Sequence, residues 1–210
     1  TTSQEMLRLL LDAERGMLAS GMTPPPSNLR LVMIRPHWDG LPVGELPAGW
    51  SLRWYQPGDA AHWARIHLAA EREHTITATL FRAQFGHDDT LLAARQCYLL
   101  TPDGEPVGTA TAWFDDSFAG GRWGRVHWVA LAPAYQGRGL AKPLLAAVCQ
   151  RFRELGHDRA FLRTTLMRRP AIQLYLRFGF QPHPRHAEET RAWQWLAPQL
   201  KYPVGPIGQG

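Results

Sequence analysis

At 210 residues the chain is long enough for one main domain with an added segment. Hydrophobic residues make up 45% of it and charged residues 20%, a globular balance that excludes wholesale disorder and a coiled coil. The net charge of +5 comes from scattered arginines, gathered at most into Arg151/Arg153/Arg159 and Arg163/Arg168/Arg169, so no nucleic-acid partner is expected. No apolar run approaches the ~18 residues that cross a bilayer, and no signal segment opens the sequence, which reads as a soluble, cytoplasmic chain with no membrane partner. Its two cysteines, Cys97 and Cys149, sit in apolar surroundings that suit buried, reduced thiols.

In chain order, Met6, Leu7, Leu10, Leu11 and Leu18 recur at helical spacing, and Pro24-Pro25-Pro26 stops that helix. A short strand is expected over 28–36, then a turn-rich connection to Gly49. From Trp50 the punctuation is regular: a strand over 51–55, the turn Gln56-Pro57-Gly58-Asp59, and a helix through Trp63, Ile66, His67 and Ala70 with Asp59 as N-cap. A helix over 79–85 follows. Strands over 96–100 and 107–114 flank Asp103-Gly104, a hairpin signal. A strand over 125–131 leads into a helix carrying Leu140, Leu144, Leu145, Val148, Phe152 and Leu155. A strand over 160–164, a helix over 170–178 and a last strand over 191–196 complete the pattern. Strands and helices that alternate late, after an early hairpin, predict an α/β layer protein with a mixed sheet.

The most informative stretch runs from Val129 to Ala141, a strand that turns through Gln136-Gly137-Arg138-Gly139 into a helix. Glycines let successive backbone N–H groups face one concavity, and the helix N-terminus adds partial positive charge, so the turn is suited to phosphate. It lacks the Gly-Lys-Ser/Thr of a nucleotide-hydrolysing loop and the glycine spacing of a dinucleotide fold.

Gln136-Gly137-Arg138-Gly139-Leu140-Ala141 resembles the Gln/Arg-x-x-Gly-x-Gly/Ala loop of the GNAT acetyltransferase superfamily. About 30 residues on, Ala171-Ile172-Gln173-Leu174-Tyr175-Leu176-Arg177-Phe178-Gly179-Phe180 is similar to its Ala-x-x-Leu-Tyr-x-x-x-Gly-Phe element. The resemblance covers roughly 50–196. It implies a mostly antiparallel central sheet flanked by helices, here with an N-terminal helical extension. It divides the chain into an extension over 1–48, an acetyltransferase domain over 49–198 and a tail over 199–210. It further implies acetyl-CoA as cosubstrate, held by Val129, Leu131 and Gln136 through Ala141, with transfer to a primary amine of a small molecule or peptide.

The chemistry needs a base for the incoming ammonium, and a proton for the departing thiolate. Tyr175 stands where the family places its proton-donating phenol. His127 stands where many members carry a glutamate, and period-two alternation puts it on one face with Val129 and Leu131. Arg168 replaces an asparagine common in the family; Arg168 or Arg169 is suited to a CoA phosphate or an anionic acceptor group. Within enzymes the alternative is an acyltransferase that uses another acyl-CoA or an alcohol acceptor, and the Arg168 departure leaves room for a CoA-binding sensor without turnover. Glu71, Glu73 and His74 are the acceptor-site candidates. Neither His62/His67 nor His183/His186 has the i, i+4 spacing of a zinc enzyme, so no metal is expected. A homodimer is one assembly open to the chain.

Overall fold

Residues 23–70, 74–205 and 207 are described by the computed structural model. The expected helix over the first twenty residues lies outside them. The elements in order are β1 (Arg30–Arg35), β2 (Ser51–Trp54), α1 (Ala60–Ala70), α2 (Ala78–Phe85), α3 (Asp89–Ala93), β3 (Gln96–Leu100), β4 (Pro106–Asp115), β5 (Trp123–Leu131), α4 (Ala141–Glu154), β6 (Ala160–Thr165), α5 (Arg169–Arg177), β7 (Gln181–Pro182) and α6 (Ala187–Leu196). The strands form a seven-stranded sheet in the order β2-β3-β4-β5-β6-β1-β7. β2–β3, β3–β4, β4–β5 and β1–β7 pair antiparallel, and β5–β6 pairs parallel, which is the mixed, mostly antiparallel sheet expected.

By internal contacts the chain makes two units, Arg35–Leu162 and Thr1–Ile34 with Arg163–Gly210. In the first, the β3–β4 hairpin closes where the sequence signals it. The Gly104 N–H donates to the Thr101 carbonyl at 2.9 Å, with Gly104 at φ +82°. Trp63 and Ile66 of α1 and Phe81 and Phe85 of α2 bury their rings and side chains with Tyr55, Leu92, Tyr98 and Ala130. Apolar burial of this kind is what holds two short helices that are marginal alone.

Asp59 does begin α1, its carbonyl accepting from the Trp63 N–H at 2.9 Å. Its carboxylate, however, takes the Arg53 guanidinium at 2.5 and 2.8 Å and the Gln56 N–H at 2.7 Å. The helix α3 is not expected from the sequence pattern; its N-cap Asp88 accepts from the Leu91 N–H at 3.0 Å.

α4 buries Leu144, Leu145, Val148, Cys149 and Phe152, the predicted stripe. Phe152 stacks on Trp38 at 5.6 Å and covers Gly124 of β5. A Cβ on Gly124 would lie 2.7 and 2.8 Å from the Phe152 ring and 3.2 Å from the Arg159 carbonyl. Gly124→Ala is therefore an overpacking change, expected to destabilise the fold by about 1–3 kcal/mol in urea unfolding.

In the second unit, β1 and β7 pair through Met33↔Pro182 and Ile34↔Gln181, and α5 buries Ile172, Tyr175 and Leu176. The strand expected over 191–196 is instead the helix α6. Trp193 and Trp195 imitate a period of two. The buried set is Glu189, Ala192, Trp193, Trp195 and Leu196, and its i, i+3, i+4 and i+7 members make one helical face. Glu189 anchors its first turn by accepting from the Arg185 backbone N–H at 3.1 Å and from the Arg185 guanidinium at 2.7 Å.

Candidate active site

The glycine loop is built from the end of β5 outward. Pro133–Tyr135 makes one tight 3₁₀ turn, and the Gln136 side-chain amide then donates to the Leu131 carbonyl at 2.8 Å, tying the loop to the strand it leaves. Gly137 and Gly139 follow at φ +74° and +78°, conformations that L side chains rarely adopt. A Cβ at either would meet nothing of the protein within 4 Å, so the space in front of both backbones is open. Leu140 is buried beneath the loop, and α4 starts at Ala141 with no acidic residue in its first turn. Arg138 is exposed, over the Tyr135 ring at 5.4 Å. Open amide-bearing glycines, a 14-residue helix presenting its N-terminus and a cation in the loop form a donor set that fits a phosphate group.

The end of β5 departs from the sequence expectation. Thr109 of β4 pairs with Ala130, but Thr111 pairs with His127, so β5 spends one extra residue in this interval. The extra residue is a β-bulge centred on Trp128, which sits at φ +49°. For a tryptophan this conformation costs about 1–3 kcal/mol. Pairing across the bulge puts His127 and Ala130 on one face with Thr111 and Thr109, while Leu131 falls opposite Gly108 on the other, its side chain against the space a Gly108 Cβ would need. His127, Val129 and Leu131 therefore do not share one face, because the bulge breaks the alternation that would align them.

His127 is 7% exposed. Its Nε2 lies 3.0 Å from Gln84 Oε1, and the same oxygen accepts from Trp128 Nε1 at 3.0 Å. Phe85 stands edge-on to the His127 ring at 5.5 Å. Trp128 in turn meets the rings of Trp63, His67 and His74 at 5.1, 4.9 and 5.4 Å. His127, the bulge and three residues of α1 and the segment after it are thus gathered around one indole. His127 and His74 are among the residues the sequence pattern points to, whereas Gln84 and Trp128 are not. No motif marks either residue, although Gly108 within a strand is the kind of signal that accompanies a bulge or a close approach.

Glu71 and Glu73 lie outside the described residues. Val129 is half-buried within the bulged stretch of β5. In the second unit, Tyr175 is 8% exposed on α5 with Phe180 edge-on at 6.2 Å, and Arg168 precedes the helix, its N–H donating to Thr165 at 3.0 Å. Arg169 lies over the Trp195 ring at 5.2 Å. Both cysteines are buried and free, and burial pushes each thiol up to about 12. They stay protonated, so neither offers a thiolate nucleophile.

Residues 53–180, which hold the bulged strand, the glycine loop and Tyr175, match the model of the acetyltransferase (GNAT) family. The chain belongs to this family. Among GNAT relatives, a mycothiol acetyltransferase of Pseudarthrobacter chlorophenolicus is 32% identical over 67% of this chain and 45% of its own length. A mycothiol acetyltransferase of Thermomonospora curvata is 29% identical over 83% of this chain and 64% of its own. The chain thus spans about half to two thirds of the length of these relatives. A GCN5-related N-acetyltransferase from Sphaerobacter thermophilus shares the fold with a TM-score of 0.62 at 22% identity, covering 81% of this chain and 53% of that one. No helix among the described residues is long and apolar enough to cross a membrane.

Proposed function

We propose that the chain is an acetyl-CoA-dependent N-acetyltransferase that acts on a primary amine by direct attack on the thioester. The observation that carries this reading is the open glycine cradle at the head of α4, tied by Gln136 to a bulged strand that presents His127. Gln136 to Ala141 would hold the pyrophosphate, with Arg138 adding charge, and Val129 and Leu131 would hold the pantetheine arm and the acyl oxygen through the backbone. The bound thioester supplies an activated acetyl group. His127 takes the proton of the acceptor ammonium, and Tyr175 gives a proton to the leaving sulfur. Both cysteines are buried and their thiols are held protonated, which supports direct transfer over an acyl-thiol enzyme. The names of the mycothiol acetyltransferase relatives support a small-molecule acceptor, with His74, beside Trp128, on the acceptor side. Arg168 is assigned to a phosphate of the cosubstrate.

Acetyl-CoA is expected to raise the melting temperature by mass action, worth about 2.7 kcal/mol at 100 Kd. No shift at saturation would overturn the reading. Tyr175→Phe is expected to keep both stability and acetyl-CoA affinity while kcat falls ~10²-fold. Retained turnover in that variant would leave the sulfur to be protonated by solvent.

A further inference from the structure

The hydrogen bonds around Gln84 determine which nitrogen of His127 carries the proton. An indole N–H can only donate, so the Gln84 atom 3.0 Å from Trp128 Nε1 must be the carbonyl oxygen. That same oxygen is 3.0 Å from His127 Nε2. Two acceptors do not bond to each other, so Nε2 is the protonated nitrogen of the pair. A neutral imidazole has one N–H, and its lone pair is then on Nδ1.

We infer that Gln84 is a positioning residue that fixes His127 in the Nε2–H tautomer and turns Nδ1 into its proton-accepting atom. The inference rests on reading His127 as the base only for its functional meaning; the tautomer itself follows from the donors. Gln84 is well suited to the task. It sits in the last turn of α2, next to Phe85, whose buried ring is packed against Trp63 and His127 at 5.9 and 5.5 Å and so holds the helix against the strand. One carbonyl oxygen collects both the histidine and the indole of the strained bulge residue. The ring of His127 and the bulge that displays it are therefore set by the same atom. Burying these two donors without an acceptor would be costly, which ties the position of α2 to the conformation of β5.

The tautomer can be read by ¹⁵N NMR of the full chain with labelled histidine, at a pH where the ring is neutral, His127→Ala providing the assignment. The wild type is expected to show Nε2 protonated and Nδ1 unprotonated. Gln84→Glu keeps an acceptor for both donors and should retain that pattern, whereas Gln84→Leu removes it and should shift His127 toward Nδ1–H. In the same variant, misorientation of the ring should lower turnover by up to ~10²-fold. An Nδ1–H ring in the wild type, or an unchanged tautomer in a folded Gln84→Leu chain, overturns the inference. Should the leucine variant fail to fold, Gln84→Met carries the same expectation with a flexible side chain of similar length. The reading of His127 as base fails separately, if His127→Ala turns over at the wild-type rate while the Gln84-dependent tautomer is still observed.

Discussion

In a Gly139→Val variant, saturating acetyl-CoA is expected to leave the melting temperature where it was. Gly139 lies at φ +78°, and a Cβ there would touch nothing of the protein within 4 Å. The new side chain would therefore fill the open space proposed to take the pyrophosphate, and its branched Cβ at positive φ would pull the loop amides out of line. The backbone penalty, ~1–2 kcal/mol, is small enough to leave the chain folded. Gly104→Val is the matched control. Gly104 has a comparable φ of +82° and equally open surroundings, but it sits in the β3–β4 turn. It should lower stability by a similar amount and keep the full acetyl-CoA response. Equal responses in the two variants would show that the loop does not hold the cosubstrate.

Replacing His127 with alanine is expected to lower kcat ~10²-fold or more, the usual contribution of a positioned base. The sign of the pH dependence follows from the chemistry. A base works in its deprotonated form, so the rate should climb as pH rises through its titration, and His127→Ala should lack that ascending limb. Acetyl-CoA affinity should be unaffected, because the imidazole is on the α2 face of β5 whereas the cradle is at the head of α4. Steady-state rates across pH, with acetyl-CoA binding measured in parallel, separate the two. An unchanged profile would assign the proton to water or to another group.

Much of this architecture can be read from residue order. The turn at Asp103-Gly104, the apolar stripe from Leu144 to Phe152 and the glycine loop are each governed by neighbours a few positions away, and each is found where the pattern puts it. The misreadings have specific physical causes. Trp193 and Trp195 imitate strand alternation, while the contacts that make α6 a helix come from Glu189 bonding back to Arg185 and from the buried face it shares with Ala192 and Leu196. The bulge was illegible because its cause is tertiary: Trp128 accepts a positive φ in exchange for a hydrogen bond to Gln84, 44 residues away, and packing against Trp63 and His67. One inserted residue reverses which face every later side chain occupies, so His127 and Leu131 lie on opposite faces of β5 instead of the shared face that alternation predicts. Gln84 carried no signal at all, since a lone glutamine on a short helix is ordinary until its partners are known.

The proposed reaction is transfer of an acetyl group from acetyl-CoA to an amine. It is tested most directly by incubating the chain with isotopically labelled acetyl-CoA and a panel of small primary amines beside matched alcohols, with free CoA and acetylated product quantified together by mass spectrometry. Labelled acetyl-amine and free CoA are expected in equal amounts for at least one amine, with no product from its alcohol counterpart and loss of both signals in Gly139→Val. Free CoA without any acetylated amine, or an ester as the preferred product, would contradict the proposed reaction.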